Sequence, residues 1–161
     1  MKNSAQPVSE LANKTVVEQM VIETNNAKET FQAGFNLGQK AQPGQVFTLI
    51  GDLGVGKTVF TQGFAAGLGI EEPINSPTFT IVQEYEEGRL PLYHFDVYRI
   101  ADSDEMYEIG YEEYVYGDGV SVIEWPQLID DILPEKRYDI EIAKDYDKGE
   151  NYRTIEIKEV G

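Results

Sequence analysis

The sequence predicts an α/β fold: a central, mostly parallel sheet flanked by helices, with antiparallel hairpins, one of them at the C-terminus. Three observations predict it. The stretch "GDLGVGKT" (Gly51 to Thr58) stands between an apolar, partly β-branched run and an amphipathic one. Two apolar runs, "LPLYHFD" and "GVSVIE", each end in a carboxylate. The tail has two alternating arms, "YDIEIAK" and "YRTIEIKEV", around the turn "DYDKGEN", the pattern of a hairpin with one wet face.

Taken in order, residues 1–14 are polar and are expected to form a flexible N-terminal extension, leaving 15–161 as a single domain. "TVVEQMVIET" (Thr15 to Thr24) reads as a first strand, and "NNAKETFQAGFNLGQKA" as an amphipathic helix with Asn25 or Asn26 as its N-cap. "QPG" turns into the strand "QVFTLI" (Gln45 to Ile50). A helix follows from Lys57, with apolar Val59, Phe60, Phe64, Ala65 and Leu68 and a stop at Gly69. Thr78 to Tyr85 and Leu90 to Tyr98 form a hairpin about "EEGR". "DSDEMYEIGYEEYVYG" holds one or two short helices, Gly119 to Trp125 a buried strand, and "PQLIDDILPEK" a short helix opened by Pro126. The terminal hairpin closes the chain.

The formal net charge of −16, from 13 Lys and Arg against 29 Asp and Glu, argues against broad, unassisted nucleic-acid binding, which needs clustered cations. There is no cysteine, hence no disulfide framework. No apolar run approaches the roughly 18 residues of a membrane span, and the N-terminus lacks a signal-peptide core. The expectation is a cytoplasmic protein with no membrane contact.

Gly51, Gly56, Lys57 and Thr58 fit G-x-x-x-x-G-K-[ST] without a gap. That is the P-loop pattern, and the strand before it and the helix after it supply its context, so the fold expected is that of a P-loop NTPase. Backbone N–H groups of Gly51, Leu53, Gly54, Val55, Gly56, Lys57 and Thr58 would wrap a phosphate at a helix N-terminus. Lys57 would reach the β- and γ-phosphates, and the Thr58 hydroxyl would ligate Mg²⁺. This local chemistry accommodates an anion in an acidic chain. A nucleotide-hydrolysing site also needs an acid at a strand end. Glu124, with the more uniformly apolar approach, is assigned to the metal, and Asp96 to catalysis at the water or γ-phosphate; each also reads as an ordinary strand-end carboxylate. In "NSPTF", Pro77 presets the backbone, so that Ser76 or Thr78 is presented like a switch segment or the strand simply begins there. His94, the sole histidine, reads as a hydrogen-bonded structural residue ahead of a catalytic base. Trp125 sits beside the nucleotide or in the core. Guanine-specific P-loop proteins carry N-K-x-D late in the chain. The only "NK" here, Asn13-Lys14, precedes the loop, so ATP is preferred.

"GDLGVGKT", "NSPTFTIVQEY", "LYHFDVYR" and "VIEWPQLI", in this order and spacing, resemble the TsaE (YjeE) family of small bacterial P-loop ATPases, over nearly the whole chain from about Asn26. The resemblance implies the ATPase component of the machinery that makes N6-threonylcarbamoyladenosine in tRNA, with TsaB and TsaD as partners and tRNA contacted indirectly through them. It implies that TsaD transfers the threonylcarbamoyl group and that ATP hydrolysis here supports repeated turnover. The family's metal positions fall on Thr58 and Glu124, its strand-end acid on Asp96, its "EW" pair on Glu124-Trp125, and its approach to adenine on the region of Glu29 and Thr30. Two other classes stand beside this: a small-molecule kinase, for which four scattered arginines offer little phosphoryl clamping, and a nucleotide-dependent binding module with negligible turnover.

Overall fold

The computed structural model describes residues 15–52, 54–77 and 80–161. The elements run β1 (Val16–Thr24), α1 (Ala27–Lys40), β2 (Val46–Ile50), α2 (Lys57–Gly67), β3 (Val82–Tyr85), β4 (Leu92–Asp96), α3 (Glu105–Glu108), α4 (Tyr111–Val115), β5 (Val120–Glu124), β6 (Arg137–Lys144) and β7 (Arg153–Val160), with 3₁₀ segments at Pro126–Ile132 and Tyr146–Lys148.

The strands make one sheet in the order β1-β7-β6-β2-β5-β4-β3. Strands β6, β2, β5 and β4 are parallel. The pairs β3–β4, β6–β7 and β1–β7 are antiparallel. The expected "mostly parallel" sheet therefore holds only at the centre, and half of the pairings are antiparallel. The reason is connectivity: a short turn can only return a strand antiparallel, whereas a parallel neighbour needs a long crossover. Each hairpin read from the sequence thus lends one arm, β4 or β6, to the parallel core and leaves its other arm outside it, and β1 adds to the outer arm of the terminal hairpin.

The central strands are buried on both sides, as the unbroken burial of β2 and β5 shows. Leu92 and Val122 pack with Phe60 and Phe64 of α2 on one face. Phe95 and Ile123 pack with Met106, Tyr111, Val115 and Ile129 on the other. Successive strand residues alternate faces, so one register serves two cores.

Helix α1 opens at Asn26, whose side chain accepts from Glu29 N–H at 2.9 Å, while Glu29 Oε1 accepts from Asn25 N–H at 2.8 Å. This reciprocal cap resolves the choice between Asn25 and Asn26. Helices α1 and α2 meet backbone to backbone. A Cβ at Gly34 or Gly38 would collide with the carbonyl of Phe60 or Phe64, and one at Gly63 or Gly67 with that of Phe31 or Phe35. The glycines four apart on each helix were visible in the sequence; that they face each other was not.

The remaining elements fall close to expectation. "PQLIDDI" is a 3₁₀ segment interrupted at Ile129 rather than a regular helix. The strand expected from Thr78 begins at Val82 instead, because Ile81 takes a left-handed φ of 69°. Thr78 and Leu53 lie outside the described residues, as does the 1–14 extension. Among the described residues, no helix is long and apolar enough to cross a membrane.

Candidate functional site

Strands β2, β5, β4 and β6 point the same way, so their C-terminal ends share one rim. The loop Gly51–Gly56 leaves β2 at that rim, where open α/β sheets take their ligands. Gly56 has φ 111°, a backbone that only glycine adopts without strain. Gly51 sits so close to the Ile142 carbonyl and the Val55 side chain that a Cβ would fall 2.7 Å from each. The N-cap of α2 is Gly56, which has no side chain to cap the helix, and an anion fits both the hydrogen-bonding need of the first N–H groups and the helix dipole. Arg153 of β7 braces the loop by donating Nε–H to the Val55 carbonyl at 2.7 Å.

Lys57 and Thr58 form the first turn of α2. Lys57 is 8% exposed, and its ammonium lies 4.5 Å from the centre of the Trp125 indole, a cation–π contact that holds the charge where solvent is scarce. Trp125 itself has φ 63° and meets the Tyr98 ring at 4.8 Å. Thr58 is exposed.

Beneath that turn the sheet supplies two carboxylates. Asp96 and Glu124 are direct partners in the β4–β5 ladder, so they stand side by side at the rim. Each lies two residues beyond His94 or Val122 on its strand, hence on the same face, and Val122 packs with α2. Asp96 accepts from Ser76 Oγ at 2.7 Å and from Tyr98 N–H at 3.1 Å. Glu124, 7% exposed, takes His94 Nε2 at 2.7 Å on Oε2. A cleft of about 690 Å³ opens on the β6 side of the loop, bordered by Gly51, Asp52, Val55, Trp125 and Lys144.

A hydroxyl and two carboxylates are hard oxygen donors, the type Mg²⁺ takes. No group of three or more His, Cys, Asp or Glu among the described residues forms a self-sufficient metal cage. Mg²⁺ needs no such cage, since one or two protein oxygens are completed by phosphates and water, and the Thr58 hydroxyl and the Glu124 carboxylate are donors of the kind it takes.

The family description "Threonylcarbamoyl adenosine biosynthesis protein TsaE" matches residues 24–155. The chain belongs to the TsaE family. Its similarity to the Bacillus subtilis tRNA threonylcarbamoyladenosine biosynthesis protein TsaE is 47% identity over 145 residues, 90% of this chain and 89% of that protein. The TsaE protein of Treponema pallidum is also 47% identical, over 112 residues, 70% of this chain and 82% of that one. A crystal structure of Bacillus subtilis YdiB superposes with a TM-score of 0.75 at 43% identity, covering 91% of this chain and 89% of that one.

In this TsaE-family chain the fold brings most of the residues singled out in the sequence to one rim: Gly51, Gly54, Val55, Gly56, Lys57, Thr58, Ser76, Asp96, Glu124 and Trp125. Ser76 reaches the site through Asp96. Glu29 lies in the first turn of α1, spent on the cap. Thr30 bonds Thr24 through their hydroxyls at 2.8 Å and has its methyl 3.7 Å from a Cβ placed on Gly56, so α1 begins against the loop. Two residues escaped the sequence reading. Arg153 carried no signal, since nothing local ties a tail arginine to the loop. Tyr98 was read only as a strand end, though an aromatic two residues past a strand-end acid marks its position.

Proposed function

We propose that this chain is the ATP-binding and ATP-hydrolysing subunit of tRNA N6-threonylcarbamoyladenosine formation, working in the cytoplasm with TsaB and TsaD on a P-loop NTPase fold. The observation that carries this is the glycine-opened start of α2, bearing Lys57 and Thr58, at the same rim as the paired strand-end carboxylates Asp96 and Glu124. Family membership supports the pathway, and the residues at the rim support the chemistry.

The loop amides and Lys57 bind and orient the phosphates, with Lys57 leaving the indole face to do so. Thr58 and Glu124 would hold Mg²⁺, which when bound supplies positive charge against the β- and γ-phosphates. Asp96 is held by Ser76 and the Tyr98 amide, each using one site on its oxygens, and an ionised carboxylate offers about four. It therefore keeps acceptor capacity for a water molecule, which it orients toward the γ-phosphate. The family resemblance would put adenine near the start of α1, where the Thr30 methyl approaches Gly56.

The test is phosphate release from ATP by the purified chain, alone and with TsaB and TsaD, in the presence of tRNA. We expect weak release alone and a clear rise in the complex, with no phosphorylated small-molecule acceptor. Absence of release under both conditions reduces the chain to a nucleotide-dependent binding module, and a phosphorylated acceptor makes it a kinase.

A further inference from the structure

His94 lies in the middle of a sheet where its neighbours Leu92, Phe95 and Val122 are apolar and buried. Its own side chain is 3% exposed. An aliphatic residue there would continue the α2-facing core without polar cost. The imidazole brings a penalty instead: Nδ1 is buried and has no hydrogen-bond partner among the described residues. What the fold gains is at the other nitrogen. Nε2 stands 2.7 Å from Oε2 of Glu124, a carboxylate that is itself 10% exposed. A carboxylate oxygen only accepts, so Nε2 carries the proton that this bond donates. Among the described residues no other side chain donates to Glu124, and its Oε1 keeps its lone pairs.

We infer that His94 is the positioning residue of the metal carboxylate: it donates Nε2–H to Oε2 of Glu124, fixes that side chain in one rotamer, and reserves Oε1 for the ion or an ion-bound water. The inference rests on the reading of Glu124 as a metal residue and adds to it the device that orients it. His94 faces Val122 two positions before the Asp96–Glu124 pair, and its bond runs diagonally from β4 to Glu124 on β5, so the same ladder that brings the two acids together also supplies the donor. Outer partners of this kind are commonly worth about 10–100-fold in metal affinity.

The experiment is calorimetric titration of the full chain with ADP, with and without Mg²⁺, for the wild type, His94→Leu and His94→Gln. It is paired with ¹⁵N spectra of the sole histidine. In the wild type, Mg²⁺ strengthens ADP binding, the ring proton is found on Nε2, and the ring signals move when Mg²⁺ joins ADP. His94→Leu loses about 10–100-fold of the Mg²⁺-dependent gain, with a smaller loss in metal-free ADP affinity. His94→Gln, whose amide can donate to the same oxygen, recovers most of it. An absent Mg²⁺ effect in the wild type defeats the reading of Glu124, and this inference with it. A normal wild type beside a His94→Leu that keeps the full Mg²⁺ gain, or leucine and glutamine variants that lose it equally, overturns the inference alone. Should the leucine variant not fold, ring signals indifferent to Mg²⁺ overturn it, and a shifted Nε2–H signal with glutamine rescue sustains it.

Discussion

At the scale of single residues, the proposed function divides the work of the site between a cation that would bind and an acid that would react. Lys57 is already desolvated against Trp125, so moving it onto a phosphate exchanges a cation–π contact for a charge-assisted hydrogen bond. Lys57→Ala removes an interaction worth about 1.5–3 kcal/mol, and ATP affinity should fall roughly 10- to 150-fold in calorimetric titration. Unchanged affinity would detach the lysine from the nucleotide. Asp96→Asn tests the other role. The amide oxygen still accepts from the Tyr98 N–H, and its NH₂ faces the Ser76 hydroxyl, which can turn to accept, so the strand end survives and Mg·ATP binding stays near normal. Hydrolysis in the complex with TsaB and TsaD should drop at least about tenfold, a floor beneath the 10²–10⁴ that a positioned base contributes. Lost binding would make Asp96 a ligand contact instead, and normal turnover would make it a bystander.

At the scale of elements, two features hold the rim in place. The first is the glycine-lined crossing of α1 and α2, which sets the height of Lys57 and Thr58 above the sheet. A methyl at Gly38 meets the backbone carbonyl of Phe64, which has no rotamer to escape into. Gly38→Ala should therefore cost about 1–3 kcal/mol of overpacking, read as a lower midpoint in urea denaturation; an unmoved midpoint would mean that the helices separate freely. The second is the edge where β1 joins the terminal hairpin. The Tyr152 hydroxyl donates to Glu23 and, with help from Lys148 at 3.7 Å, holds its carboxyl below the usual value, while the same bond pushes the Tyr152 hydroxyl up to about 12. A lowered carboxyl contributes stability above its unfolded value and loses it as pH falls through the folded one. A raised phenol contributes below the ordinary tyrosine value and loses it as pH climbs through about 12. The β1 edge should thus loosen at both extremes. Tyr152→Phe should move the Glu23 carboxyl back up in an NMR titration, and a carboxyl that stays low would assign its shift to Lys148.

At the scale of the whole molecule, charge fits the proposed subunit, which would leave RNA to its partners. A net charge of −16 repels a polyanion, while the loop amides, helix end and Lys57 act only over a few ångströms. The isolated chain should show no tRNA binding by fluorescence anisotropy at physiological salt. Micromolar binding would place a nucleic-acid surface on this chain. The fold also keeps its two strand-end carboxylates, its lysine and its loop on one sheet rim, so that on the proposed function partners docking at that rim would reach the phosphates without entering either core.

Much of this was legible in the chain. A P-loop pattern states its own spacing, and "QVFTLI" and the helix after Lys57 declare strand and helix by periods that depend on adjacent residues alone. The acids at the ends of "LYHFD" and "VSVIE" could be picked out because a carboxylate closing a buried run is locally anomalous. The alternating arms of the tail foretold their hairpin for the same reason. What the sequence could not decide was which strand lies beside which. Pairing is set by how the two cores close over both faces of the sheet, a global condition, and it makes Asp96 the neighbour of Glu124 and confines the parallel pairs to the centre. It also decides that His94 donates to Glu124 and that Arg153, 98 positions from Val55, braces the loop. By itself the sequence determined the chemical parts and their local shapes, because backbone propensity and motif spacing act within a few residues. The tertiary structure alone decided their company, because burial rewards contacts without regard to distance along the chain.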